Sequence, residues 1–360
     1  MPQRILFVVD GLAGGGAEKN VLTLTAEMAR RGLDAEIVTL RDERAYPVPE
    51  GVTLIPCYDT SPRRLRKIDE VGRRARLLDR ALAGRPPCDL VISSLLTSDR
   101  IVANSSLADS AWYRVPNPLS VEQLEATSGF KKARRRARLK GTYDGRKIIA
   151  ISAGVGRDLV DIVGVKPLRL EVIHNPFDVK KIRRLAEEPC HQAGEDYLVC
   201  VGRFSRQKRH DRLLGAFARA RYEGRLVLVG TGTGEEIRTV AERVKSMGLS
   251  ERVDLVGFQQ NPFPLMMHAR ALVLSSDFEG FGNVLVESLI CGSPVVSTRC
   301  PHGPEEILTG DLSAGFADLT EESLAGAMDR VVRNPPVITE EHVRPFLVEE
   351  ITDRYLGLAE

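Results

Sequence analysis

Short apolar runs alternate with longer amphipathic stretches along the whole chain, and the alternation occurs twice. In the first half, runs at 5–9, 35–39, 52–56, 90–92, 112–115, 147–151 and 170–173 predict strands. In the second half, 197–201, 226–229, 253–256, 271–274 and 294–297 do the same. Helical spacing fills intervals such as 17–31, 62–83, 207–221 and 234–247. Alternating strands and helices predict an α/β fold with a parallel sheet covered on both faces, and two such series predict two Rossmann-like domains. Between them, 175–196 is polar, lacks a strand pattern and contains Pro176, Pro189 and Gly194. Pro335 and Pro336 end a helix, after which 340–358 resumes helical spacing with Leu347, Ile351, Tyr355 and Leu358 on one stripe. Ligands of such sheets bind beyond the carboxyl ends of the strands, so chemistry is sought in the loops that follow them.

Composition narrows the class. The 360 residues suit two domains at ~150 residues each. A hydrophobic share of 43% and a charged share of 28% exclude disorder and fibrous repeats. No apolar run approaches the ~20 residues needed to span a bilayer. The formal charge of +2 conceals an imbalance: residues 1–180 carry a net +8, residues 181–360 a net −6, and 61–150 alone a net +11. The six cysteines form no C-x-x-C and have no paired histidines, so neither a zinc site nor a disulfide framework is expected. The N-terminus reads as a first strand rather than a secretory leader, and a cytoplasmic location is expected.

Four strand-end loops carry candidate chemistry. After 5–9, Asp10 leads into a turn with Gly11, Gly14, Gly15 and Gly16, then a helix. Backbone N–H groups and the helix dipole there can meet an anion; the plainer reading is a tight turn. After 197–201, Arg203 and Lys208 can converge on a diphosphate, and the alternative is a solvated basic helix start. After 226–229 comes Gly230-Thr231-Gly232-Thr233-Gly234, a weak dinucleotide signal. After 271–274, Glu279 precedes Gly280 and Gly282, and Glu287 lies within the next helix among apolar neighbours. A carboxylate there can accept bonds from sugar hydroxyls, and the glycines leave N–H groups open. The plainer reading is two ordinary helix glutamates, which the apolar setting of Glu287 disfavours.

Glu279 and Glu287 resemble the E-x7-E motif of retaining glycosyltransferase family 4, whose fold is GT-B. The similarity continues in family order through Gly14–Glu18, Val172–Asp178, Gly202-Arg203-Phe204 with Lys208, Gly257-Phe258 through Phe263, and Cys291–Val296. The segment Cys300–Leu308 resembles the family members that build lipopolysaccharide, O-antigen or capsule chains. The resemblance implies two facing Rossmann-like domains: 1–175 on the acceptor side, 176–340 binding a nucleotide-sugar, and 341–360 as a helix crossing back to the first. It implies transfer of a hexose or N-acetylhexosamine from a UDP-sugar by front-face substitution, with no metal and no cofactor beyond that co-substrate.

By the same resemblance, Arg203 and Lys208 hold the donor diphosphate, Glu279 faces the sugar, and Glu287 takes the ribose hydroxyls. Gly280, Phe281, Gly282 and Asn283 line the donor, Gly257 and Phe258 meet the base, and Gly15 and Gly16 lie near the diphosphate and acceptor. Many relatives carry a histidine within the segment that is 89–98 here, and this chain has none. Asp10, Ser94 and Thr97, with Ser93 and Ser98, are the acceptor-side candidates in its place, and His174 and His302 are the remaining histidines to consider, His174 without an assigned role.

The positive charge has three readings. Nucleic acid requires aromatic or base-reading groups, and only Phe130 and Tyr143 flank the run at 131–140, so no nucleic-acid partner is expected. A solvated helix face is the plain reading. An anionic membrane surface contacted through 61–80 and 131–147 suits a glycan or lipid-linked acceptor at the inner membrane face. Two other function classes stay open: a nucleotide-dependent oxidoreductase using the 230–234 turn, and a non-catalytic sugar- or nucleotide-binding module.

Overall fold

The computed structural model describes residues 3–13, 15–60 and 69–359; Gly14 and the expected helical residues 62–68 lie outside them. The chain divides into two compact units. One comprises Met1–Phe177 with Phe346–Glu360, and the other Asp178–Pro345.

The first unit contains strands β1 (Arg4–Val9), β2 (Asp34–Thr39), β3 (Val52–Pro56), β4 (Leu90–Ser94), β5 (Trp112–Val115), β6 (Lys147–Ala150) and β7 (Arg169–Val172). They pair in parallel in the order β3-β2-β1-β4-β5-β6-β7. The second unit contains β8 (Tyr197–Val201), β9 (Arg225–Val229), β10 (Val253–Gly257), β11 (Ala271–Leu274), β12 (Val295–Thr298) and β13 (Phe316–Ala317), ordered β10-β9-β8-β11-β12-β13. Every pairing is again parallel. The central strands are buried, which explains their continuous apolar runs rather than alternation. The two-residue β13 is too short to leave a periodic signal.

Three helical expectations change in detail. The stretch 207–221 is a 3-10 turn, Arg206–Lys208, then a helix, His210–Arg219, separated at Arg209, whose φ is 49°. The described part of 62–83 is the helix Glu70–Leu82. The stretch 340–358 is not one helix: Glu340–Val343, the 3-10 turn Arg344–Phe346 and Val348–Leu356 succeed one another. Pro345 lacks the N–H that a continuous helix needs. The division between units follows this break. Val343 is buried and its helix packs on Asn283–Ile290 of the second unit, so residues 341–345 belong there.

The segment from Phe346 completes the first unit's core. Ile351 and Tyr355 are fully buried among Ile5, Phe7, Ile37 and Trp112. Phe177 N–H donates to the Phe346 carbonyl (2.9 Å) and Val348 N–H to the Phe177 carbonyl (3.0 Å). Arg31 bonds the Asp353 carboxylate and the Glu349 carbonyl. Among the described residues, no helix is long and apolar enough to cross a membrane.

Beyond β4 and β5 lies a buried polar cluster. Arg114 has no exposed surface, and its guanidinium donates to Tyr355 Oη (3.1 Å), Ser94 Oγ (3.3 Å) and Asn175 Oδ1 (2.5 Å). Asp99 is equally buried and accepts from Ser93 Oγ (2.5 Å) and Tyr143 Oη (2.7 Å). Burial pushes the Asp99 carboxyl up to about 7, against the opposing pull of those two bonds. An acid raised in the folded state binds its proton more tightly there than in the unfolded chain. Its contribution to stability is therefore full at low pH and is lost as pH rises from about 4 to about 7. Asp99→Asn should flatten that part of the stability profile and be relatively more stable at pH 8 than at pH 4.5; urea unfolding at both pH values checks this.

Candidate active site at the strand ends of the second unit

In the second sheet β8 and β11 are neighbours, but their connections depart to opposite sides, to β9 and to β12. The loops after β8 and β11 therefore part at this switch point, where open α/β sheets hold their ligands.

Each loop is fastened to the other. Asp277 N–H donates to the Gln207 carbonyl (2.9 Å), Gln207 Nε2 to the Phe278 carbonyl (2.8 Å), and Ser275 Oγ to the Lys208 carbonyl (2.7 Å). Arg212 donates to the Ser275 carbonyl (2.9 Å) and Asp277 Oδ1 (2.6 Å), and Arg209 reaches Asp277 as well (3.0 Å). The left-handed backbone of Arg209 ends the 3-10 turn and lets Lys208 face the second loop. Lys208 Nζ then lies 2.6 Å from Glu279 Oε1, with side-chain exposures of 15% and 10%. Ser276 Oγ donates to the same oxygen at 2.5 Å.

A third loop, after β12, backs this arrangement. Glu279 N–H donates to the Pro301 carbonyl (3.3 Å), and Thr298 Oγ1 donates to the Ser276 carbonyl (2.7 Å). A Cβ on Gly303 would lie 2.2 Å from the Phe281 carbonyl oxygen, so only glycine lets this loop close on the backbone beside Glu279. His302 takes φ 90° in the same turn. Burial pushes the thiols of Cys200 and Cys300 up to about 12, so both are neutral packing groups. Burial, helped by Lys208, lowers His210 to about 4, and its neutral ring stacks on Phe204 at 4.8 Å.

The structure thus brings Lys208, Glu279 and the 280–282 backbone together. Gly282, with φ 101°, starts the helix Asn283–Ile290 without a side-chain cap, and Asn283 is its first residue. Glu287 follows one turn later, 8% exposed. Phe281 is buried. Arg203 is exposed on the turn after β8 and is the positive charge acting on Glu236. Lys208, expected to face a diphosphate, spends its first contact on Glu279. Gly257 has φ 73° and accepts from Gly230 N–H (2.9 Å), while Phe258 beside it is 66% exposed.

The 230–234 turn has a packing explanation. A Cβ on Gly230 would lie 1.8 Å from the Gly202 carbonyl oxygen. The following helix caps itself: Thr233 Oγ1 accepts from Glu236 N–H (3.2 Å) and Glu236 Oε2 from Thr233 N–H (2.8 Å). A capping box already satisfies the N–H groups that a dinucleotide phosphate would take.

The first-unit candidates separate. Asp10 Oδ1 accepts from Ser98 N–H (2.7 Å) and so caps the helix Leu96–Val102 from the next strand. Ser94 is a correction: it is fully buried and its hydroxyl meets Arg114, so it cannot touch an acceptor. Ser93 and Ser98 are likewise buried, bonded to Asp99 and to the Ser94 carbonyl. Thr97 is half-buried in the first turn of that helix. Gly15 starts the helix Gly16–Arg30 without a side-chain cap, and the Glu18 carboxylate folds over it, 2.4 Å from where a Cβ would stand. His174 packs against Phe346 at 5.4 Å.

Sequence reasoning missed Ser276, Asp277 and Arg212. Only the three-residue offset of Ser276 from Glu279 was visible, and a loop offers no periodicity from which to read a contact. Two surface cavities of about 380 and 430 Å³ lie at the amino ends of the strands, near Arg270 and Pro294 and near Asp196 and Arg225, away from this site. Among the described residues, no group of three or more His, Cys, Asp or Glu is placed to hold a metal ion.

Two family models match the chain: Glycosyltransferase Family 4 over residues 14–181 and Glycosyl transferases group 1 over residues 195–334. A Campylobacter jejuni N-acetylgalactosamine-N,N'-diacetylbacillosaminyl-diphospho-undecaprenol 4-alpha-N-acetylgalactosaminyltransferase is 26% identical over 86% of this chain and 84% of its own length. An Escherichia coli lipopolysaccharide 1,6-galactosyltransferase is 31% identical over 49% of this chain and 52% of its own. The crystal structure of Anabaena HepE in complex with UDP and glucose superposes with a TM-score of 0.77 at 18% identity, covering 99% of both chains.

Asp277→Ala leaves Arg212, 5% exposed, with only a carbonyl partner on its buried side. Losing a charge-assisted pair of this kind should cost about 1–3 kcal/mol, read by urea unfolding, with Asp277→Asn recovering part of the loss.

Proposed function

The chain belongs to glycosyltransferase family 4, with the GT-B fold, and from that premise we propose its reaction: retaining transfer of a hexose or N-acetylhexosamine from a UDP-sugar to a glycan or lipid-linked glycan, in lipopolysaccharide or other cell-surface polysaccharide synthesis. The observation that carries this reading is the pairing of Lys208 with nearly buried Glu279 at the β8/β11 switch point, beside the start of the helix Asn283–Ile290.

A departing nucleoside diphosphate gathers negative charge as the bond from the anomeric carbon to its phosphate oxygen breaks. Arg203, exposed on its turn, supplies a fork of donors, and Lys208 supplies a compact charge from beneath. The N–H groups at the start of the helix Asn283–Ile290 add a positive dipole end. Glu279 faces the donor sugar, and Glu287, one turn into the helix, accepts from the ribose hydroxyls. The acceptor hydroxyl oxygen bonds to the anomeric carbon on the face the diphosphate leaves, and its proton passes to the departing phosphate oxygen. The UDP seen with the Anabaena protein and the undecaprenol-linked acceptor named for the Campylobacter relative support these substrate classes.

The acceptor side falls to the first unit, through Asp10 and Thr97, and its basic face suits an anionic lipid surface. On the helix Gly129–Tyr143, Lys131, Arg134, Arg136 and Arg138 are exposed, Phe130 is 85% exposed, and Leu139 anchors the inner side. Each basic residue near anionic headgroups contributes roughly 1 kcal/mol. The described part of 61–80 adds Arg76, which is 61% exposed.

A panel of UDP-glucose, UDP-galactose, UDP-N-acetylglucosamine and UDP-N-acetylgalactosamine, read by thermal shift and slow donor hydrolysis, should single out a preferred donor. Glu279→Ala should lose turnover by roughly 100-fold or more. No transfer or hydrolysis with any donor counts against the reading. Replacing Lys131, Arg134, Arg136 and Arg138 by Gln should weaken sedimentation with phosphatidylglycerol vesicles while sparing the UDP thermal shift. Equal vesicle binding by variant and parent removes the membrane contact.

A further inference from the structure

We infer that Ser276 is a positioning residue for donor-sugar recognition: its hydroxyl holds one oxygen of Glu279 so that the other faces the sugar while Lys208 serves the diphosphate. This rests on the donor-site reading above. Ser276 is fully buried and Glu279 is 7% exposed. Both side-chain donors that reach Glu279, Ser276 Oγ at 2.5 Å and Lys208 Nζ at 2.6 Å, meet the same atom, Oε1. Among the described residues, Oε2 has no hydrogen-bond partner, so it is the oxygen left to accept from a ligand hydroxyl.

Two donors on one oxygen fix a side chain with three rotatable bonds, and the Ser276 donor is itself fixed. Its backbone carbonyl accepts from Thr298 Oγ1 at 2.7 Å, and the Glu279 N–H is held by the Pro301 carbonyl. The direction of the hydroxyl is thereby set by β12 and the loop after it. Lys208 is the less constant donor. An ammonium has three protons and one charge, and a diphosphate competes with Glu279 for both. When Lys208 turns to the diphosphate, the Ser276 hydroxyl is what retains Glu279. Without that hydroxyl the carboxylate follows Lys208, withdraws from the sugar, and opposes the charge meant for the leaving group.

The signature is a split between the two halves of the donor. Ser276→Ala should lower kcat with the preferred UDP-sugar by about 10–100-fold, the range for one hydrogen bond to a charged acceptor, and should erode the preference between epimeric UDP-sugars. Its affinity for UDP alone should stay within about twofold. Ser276→Thr should restore much of the turnover. Thr298→Val removes the anchor on the Ser276 backbone but keeps the hydroxyl, and should have the smaller effect. Wild-type turnover and donor preference in Ser276→Ala overturn the proposal. So does an equal fall in UDP affinity and kcat, which marks a collapsed loop. A crystal structure of ligand-free Ser276→Ala gives an outcome independent of any turnover: the Glu279 carboxylate should swing to pair with Lys208 through both oxygens. An unmoved carboxylate sinks the positioning role even if the donor reading stands, and a swung carboxylate upholds it even if no UDP-sugar is turned over.

Discussion

A nearly buried carboxylate needs partners, and Glu279 finds them on two loops that the sheet topology drives apart. Lys208 follows β8 and Glu279 follows β11, on either side of the switch point. Their ion pair is therefore a tertiary closure as well as a local contact. Removing either member would leave the other charge with little water, a more costly state than a pair never formed. The bonds among Gln207, Arg209, Arg212, Ser275 and Asp277 share that task, so the pair sits in a frame rather than carrying it alone. The result is a lysine and a carboxylate held together at the strand ends of the second sheet, beside the start of the helix Asn283–Ile290.

Close backbone approach is the second constraint, and glycine meets it at two positions. Gly230 lies against the Gly202 carbonyl, and Gly303 lies against the Phe281 backbone. In each case a methyl group would displace a loop of the site. The first of these glycines belongs to a turn with a nucleotide-binding appearance. Its neighbouring helix is capped by its own Thr233 and Glu236, so the pattern reflects packing behind the site. A glycine-rich motif states that backbone comes close to something, and only the fold says whether that is a phosphate or another loop.

In the first unit the polar residues at the ends of β4 and β5 have gone into structure. Ser94 meets Arg114, Ser93 meets Asp99, and Arg114 ties the returning C-terminal segment, through Tyr355, to Asn175. Each of the three guanidinium nitrogens donates to a neutral oxygen, one of them on Tyr355, and this adds to the core packing that holds residues 346–360 in the first unit. The candidates left with solvent access near the β1/β4 switch point are Asp10 and Thr97, and Asp10 already serves as a helix cap.

Much of the architecture was legible in the chain. Apolar runs of three to five residues marked twelve strands because buried parallel strands are apolar on both faces, and the break near 175–196 was marked by polarity and proline. The motifs around Arg203, Lys208, Glu279 and Glu287 marked the loops after β8 and β11 as candidates, and the fold brings Lys208 and Glu279 of those loops together. What the sequence left open was decided by partners far apart in the chain. That Lys208 meets Glu279, that Ser276 shares its oxygen, that Ser94 turns inward to Arg114, and that Pro345 divides the final helix between two units all depend on burial and contact in three dimensions. Periodicity reports which face of an element is apolar, and it carries no information about which polar atoms a buried group will find. Tertiary packing makes that choice, because each buried donor and acceptor must be matched at once.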